Sequence, residues 1–96
     1  MSTVQFRRYD VRPGKLDDFL DWWRSIVPIR EQYGFKVLFA FANPDTNEFV
    51  WAVEHDGDFD VVEQEYLASP ERAEAIARVS ERRIIHEHIS KMHRIY

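Results

Sequence analysis

The side chains in this sequence best suited to chemistry fall into three small groups. Arg7 and Tyr9 stand two residues apart in Thr3–Val11, an alternating stretch that reads as a strand, so both side chains leave one face. A guanidinium and a phenol about 7 Å apart along a strand can grip a carboxylate or an enolate, with bidentate bonds plus one hydroxyl donor. The structural alternative is an inward arginine neutralised by a carboxylate such as Glu54, with Tyr9 packing as an amphipathic core ring. His86 and His88 form the second group. On a strand both imidazoles share a face, the spacing that some zinc and iron sites use for two of three ligands. The sequence specifies no third ligand, so no metal is expected. The remaining readings are a general acid–base histidine, the side-chain type that titrates near neutrality, or a solvated or interface pair. The third group is aromatic: Trp23 belongs to a helical stripe, Trp22 lies about 100° round at its margin, and Trp51 shares a strand face with Phe49 and Val53. Such rings serve a core, or an apolar pocket for a planar ligand with Trp22 and Trp51 on its walls.

Composition limits what these groups can belong to. Ninety-six residues make one domain, 1–96, with no room for a second core. The absence of cysteine excludes disulfides, zinc–thiolate sites and iron–sulfur clusters. Thirteen Lys+Arg against 17 Asp+Glu leave a net charge of −4, which disfavours nucleic-acid binding. No run of 18 apolar residues suggests a membrane span, and the expected setting is cytoplasmic. Three glycines build no phosphate loop, and Ser2, Ser25, Ser69, Ser80 and Ser90 sit in no nucleophile-elbow context, so no cofactor is expected. Aromatics nevertheless make up 15% of the chain, and those rings need a core, a pocket or an interface.

The elements that must position these residues follow from periodicity. After the first strand, Pro13-Gly14 makes a turn. Leu16, Phe19, Leu20, Trp23, Ile26 and Val27 then give one apolar stripe on a helix over about 15–32, with Pro28 expected to kink or interrupt its end and Gly34 to stop it. Residues 35–42 and 48–55 read as strands of a hairpin around Asn43–Asn47. Asp58 is a plausible N-cap for a helix over about 59–68, and Ser69-Pro70-Glu71 starts another, with Ala73, Ile76, Ala77 and Ser80 as a small apolar face. The tail from about Ile84 alternates as a strand, although the spacing of Ile85 and Ile89 also suits a helix.

Strand, helix, strand, strand, helix, strand is the α+β ferredoxin-like βαββαβ order, a four-stranded antiparallel sheet with helices on one face. Strict alternation puts Phe35, Val37, Phe39 and Phe41 on one face of the second strand and Leu38, Ala40 and Ala42 on the other. Both faces are apolar, yet helices cover only one, so the other is expected to meet a second copy. Close sheet-to-sheet approach favours the small-residue face, Leu38, Ala40 and Ala42, for that contact.

Phe6 to Leu16 (FRRYDVRPGKL), with Phe19, Leu20 and Trp23 following, resembles the opening of NIPSNAP-type domains. Residues 28–35 (PIREQYGF) resemble their helix exit, 47–51 (NEFVW) their third strand and 66–71 (YLASPE) their second-helix turn. The likeness runs to about residue 75, and the tail with His86, His88 and His93 matches no pattern in it. What the resemblance implies is a dimeric α/β barrel, formed when two ferredoxin-like sheets pack face to face, and no established activity. The wider dimeric α/β-barrel group includes cofactor-independent monooxygenases, haem proteins, isomerases and cyclases, so fold says little about reaction. Two functions are therefore carried forward. One is a homodimeric pocket protein for a hydrophobic, aromatic or anionic small molecule, a cofactor-independent enzyme of monooxygenase, isomerase or cyclase type if Arg7 and Tyr9 orient an oxyanion while His86 or His88 moves a proton. The other is a non-catalytic dimeric module whose aromatics are only core and interface.

Overall fold

A computed structural model describes residues 2–79 and 81–96. Ser80, counted above on a helix face, lies outside the described residues. The elements are β1 (Thr3–Val11), α1 (Leu16–Gln32), β2 (Lys36–Asn43), β3 (Glu48–His55), α2 (Phe59–Leu67), α3 (Pro70–Ala77) and β4 (Ile84–His93). The tail is thus a strand. The sheet runs β2-β3-β1-β4 with every neighbouring pair antiparallel, which is the ferredoxin-like arrangement.

Local chemistry explains most boundaries. Gly34 adopts φ 86 just past Tyr33, the C-cap of α1, a conformation that favours glycine, and its N–H donates to the Glu31 carbonyl. At the β2–β3 turn the Asp45 N–H donates to Asn43 Oδ1, and Asn47 takes φ 57. Asp58 caps α2 by accepting from the Val61 N–H, and Ser69 caps α3 by accepting from the Arg72 N–H. Pro28 does not end its helix. Hydrogen-bonded turns continue to Gln32, and Pro28 lies exposed beside exposed Arg24, whose carbonyl would otherwise take the missing N–H.

The register sorts side chains into two faces. Arg7 lies opposite Trp51 and Ile89, and Tyr9 opposite Phe49 and Glu87. The helices pack over this face, where Tyr9, Val11, Phe49, Trp51 and Val53 meet Leu16, Phe19, Phe59 and Tyr66 in one core. The other face carries Val4, Phe6, Arg8 and Asp10 of β1, opposite Glu54, Ala52, Val50 and Glu48 of β3. Among the described residues no helix covers it, and the molecule is only 18 Å through its thinnest axis.

Two expectations about faces need correction. β2 does not alternate strictly, because its register with β3 shifts between Val37 and Phe39. Val37 pairs with Val53 on the helix side, while Phe39 pairs with Ala52 and Phe41 with Val50 on the open side. Leu38 is the extra residue of this irregularity, so Ala40 and Ala42 end on the helix face and Phe39 and Phe41 on the open one. The small-residue side is therefore not the open side. In α3 the buried residue is Ala75, whereas Ala73, Ile76 and Ala77 are exposed. Ala75 is held under α1, its carbonyl accepting from Trp22 Nε1 at 3.0 Å.

Candidate functional site

The sheet–helix layer contains a charged cluster that no apolar core requires. Arg7 donates from Nε to Gln5 Oε1 at 2.6 Å and from Nη1 to Tyr9 Oη at 3.0 Å, all three on the helix face of β1. Its partner carboxylate is Glu63 of α2, at 3.5 Å, and not Glu54. Glu54 lies on the opposite face and pairs with Arg94 at 3.3 Å. From α1 comes a second cation, Arg30, only 3% exposed, whose Nη1 is 4.0 Å from the same Glu63 oxygen.

Arg30 is packed among rings. Its guanidinium lies 4.5 Å from the Tyr66 ring centre, 5.1 Å from Trp51 and 5.4 Å from Phe35, while that of Arg7 is 5.6 Å from Trp51. These faces compensate a cation in part but satisfy none of its N–H groups. Nε and Nη1 of Arg30 are buried without a hydrogen-bond partner, as are Trp51 Nε1 and Tyr66 Oη. Burial, and then the neighbouring charge of Arg7, pull the Arg30 guanidinium down to about 10, against the opposing pull of Tyr66, Glu63 and Tyr9. It stays charged at neutral pH.

Beside this cluster lies a cleft of about 480 Å³ between α1, α3 and the start of β4, lined among others by Phe19, Trp22, Ile76, Ile84 and Arg72. Arg72 connects the two regions: its guanidinium is 5.8 Å from the Tyr66 ring on which Arg30 also lies, and its Nε is buried without a partner.

The sequence-predicted residues are thus divided. Arg7, Tyr9 and Trp51 come together inside the layer, and Trp22 lines the cleft. His86 and His88 lie opposite Asp10 and Arg8 on the open face, exposed, and so do not share a site with Arg7 and Tyr9. Among the described residues no group of three His, Asp or Glu is arranged to hold a metal ion. Arg30, Glu63 and Gln5 were missed. A signal for them existed: Arg30 follows Trp23 and Ile26 at stripe positions of α1, and Glu63 falls between buried Phe59 and Tyr66 on α2. A charged residue at a core position of an apolar stripe is an error in a purely structural element, and so a pointer to function.

No family model and no curated protein matches this sequence. Solved structures do match. An uncharacterised NIPSNAP domain protein from Burkholderia xenovorans superposes with a TM-score of 0.81 at 18% identity, over 96% of this chain and 93% of that one. The chain has the fold of NIPSNAP domain proteins. A NIPSNAP family protein from Agrobacterium tumefaciens gives 0.80 at 15% identity, over 96% and 91% of the two chains. A putative antibiotic biosynthesis monooxygenase from Bacteroides thetaiotaomicron gives 0.78 at 12% identity, over 99% and 90%. Among the described residues no helix is long and apolar enough to cross a membrane.

Proposed function

We propose that this chain works as a homodimer that binds a hydrophobic or aromatic small molecule between its sheet and its helices. The cleft beside Trp22 carries the reading. Its volume of about 480 Å³ suits a small ligand, its walls offer Phe19, Trp22, Ile76 and Ile84, and Arg72 brings an unpartnered N–H to its edge. The dimer rests on the open sheet face. There Phe6, Phe39 and Phe41 form an aromatic row with ring centres 5.9 and 5.6 Å apart, and Phe41 is 65% exposed. Such a patch is larger than isolated surface rings and calls for a cover. A second copy is the occupant argued for, because the row is flanked by Arg8 with Asp10 and Glu48 on one side and by Glu54 with Arg94 on the other. Both signs of charge are therefore present on one patch, as a self-complementary two-fold contact requires.

The reading is one of binding. The monooxygenase likeness is one of fold, which hosts unrelated chemistries, and the imidazoles of His86 and His88 face away from the cleft. The test is a ¹H–¹⁵N NMR titration with 2-naphthol, a neutral planar probe. The Trp22 indole N–H resonance should shift saturably, and Trp22→Ala should weaken binding by about tenfold or more. Shifts confined to residues outside the cleft would favour a module whose aromatics are core and interface only.

A further inference from the structure

We propose that Arg7 and Arg30 form a second binding site, separate from the cleft, for the carboxylate of a small organic acid. Charge counting comes first. Two guanidinium groups share the single carboxylate of Glu63, with Gln5 and Tyr9 beside them, so Arg7, Arg30 and Glu63 together hold one positive charge in excess, before Arg72 beyond the Tyr66 ring is counted. A monoanion would neutralise that excess.

Geometry points the same way. Glu63 is 3.5 Å from Arg7 and 4.0 Å from Arg30, well beyond the roughly 2.7–2.9 Å of a charge-assisted hydrogen bond. Neither arginine therefore has a close ion pair. Leaving a buried donor unmade costs more than an average hydrogen bond contributes, yet Nε and Nη1 of Arg30 are both left so. Further donors lie on the walls of the same interior. Tyr9 Oη accepts from Arg7 and keeps its own proton to donate, and Trp51 Nε1 and Tyr66 Oη have no partner. A planar, two-oxygen acceptor matches the guanidinium fork, and the rings of Phe35, Trp51 and Tyr66 restrict the rest of the acid to a small body. Arg7 and Glu63 are the members that touch solvent, with side chains 13% and 15% exposed against 3% for Arg30, so an acid would have to approach from their side. Burial first, and the neighbouring charge of Arg7 second, lower the proton affinity of Arg30, and Glu63 offsets this only in part.

The test uses ¹⁹F NMR with trifluoroacetate and its uncharged counterpart trifluoroacetamide, on the intact chain in low-chloride buffer. The acid should bind saturably and the amide should not. Arg30→Met should weaken acid binding by about tenfold or more, as expected for losing hydrogen bonds to a charged group. If that variant does not fold, Arg30→Lys, which keeps the charge and removes the fork, should also weaken it. Glu63→Gln removes the competing carboxylate and should tighten binding about tenfold, a change of sign that a merely structural role for Glu63 would not produce. Arg24→Gln, on a surface arginine paired only with Asp21, should leave binding as it was. No saturable binding, equal binding of the amide, or a Glu63→Gln variant that binds no tighter would overturn the proposal.

Discussion

Arg30 makes the balance of forces at one residue visible. Its burial removes water from a cation and returns three ring faces and a distant carboxylate. Replacing a whole buried ion pair by apolar residues of similar volume is often neutral or stabilising, by about 1–4 kcal/mol, and removing Arg30 leaves no charge stranded because Glu63 keeps Arg7. Arg30→Met is therefore expected to raise the melting temperature or leave it unchanged, measured by calorimetry without added acid. Glu63→Gln should lower it, because two cations then face each other without a counter-charge. The pH dependence has a definite sign. The folded state holds the Arg30 proton less tightly than the unfolded chain, so above about 10, until the unfolded chain also loses that proton, the unfolded chain binds more protons and stability rises with pH. Below about 10 both states are protonated and the cost is constant. The difference in melting temperature between wild type and Arg30→Met should accordingly stay flat from pH 7 to 9.

At the scale of elements, two turns fix the layer. Ser69, 4% exposed, accepts from the Arg72 N–H and donates from Oγ to the Tyr66 carbonyl at 2.6 Å, so it joins α2 to α3 where Tyr66 and Arg72 meet. Ser69→Ala should cost about 1–2 kcal/mol in denaturant unfolding, the upper part of the range for a helix cap. Gly34 is the other. A Cβ there would stand 2.9 Å from Nε2 of His55, whose ring is held by the Tyr33 carbonyl and the Gly57 N–H. Gly34→Ala should therefore destabilise more than Gly14→Ala, where the backbone is equally left-handed but the space is open. Capping and glycine signals of this sort made the element order legible in sequence, as did the apolar stripe of α1. The open face of β2 was not legible. One shifted register residue overrides alternation, and no residue type between Val37 and Phe39 announces it. The charged cluster was half legible: Arg7 and Tyr9 stood out by spacing, while Arg30 and Glu63 are brought to them only by how the helices pack.

The whole molecule is a two-layer slab, and its proposed dimer would make it symmetric about the sheet. A standard interface covers roughly 800 Å² per partner, about what one face of a four-stranded sheet can supply. Sedimentation at micromolar concentration should give twice the chain mass, and the melting temperature should rise with concentration, since folding and association are then coupled. Phe41→Glu, at the most exposed ring of the row, should give aggregated or unfolded protein rather than a clean single-chain species. A stable single-chain species from wild type would remove the dimer from the proposal and leave the cleft to be judged by its own titration.

The irregularity at Leu38 bears on how this chain is compared with others. One extra residue lets a single strand supply Val37 to the interior and Phe39 and Phe41 to the exterior, so the inner and outer layers can drift separately. In a homologue without that residue, outward-facing positions would align against 38, 40 and 42 instead of 39 and 41 unless a gap were opened there. Ungapped alignment would then score inner residues against outer ones along half of β2. Low identity between chains that superpose well is one result such an offset produces. Deleting Leu38 experimentally would remove the irregularity and restore plain alternation, with Val37 and Ala40 still inward and Phe39 and Phe41 still outward.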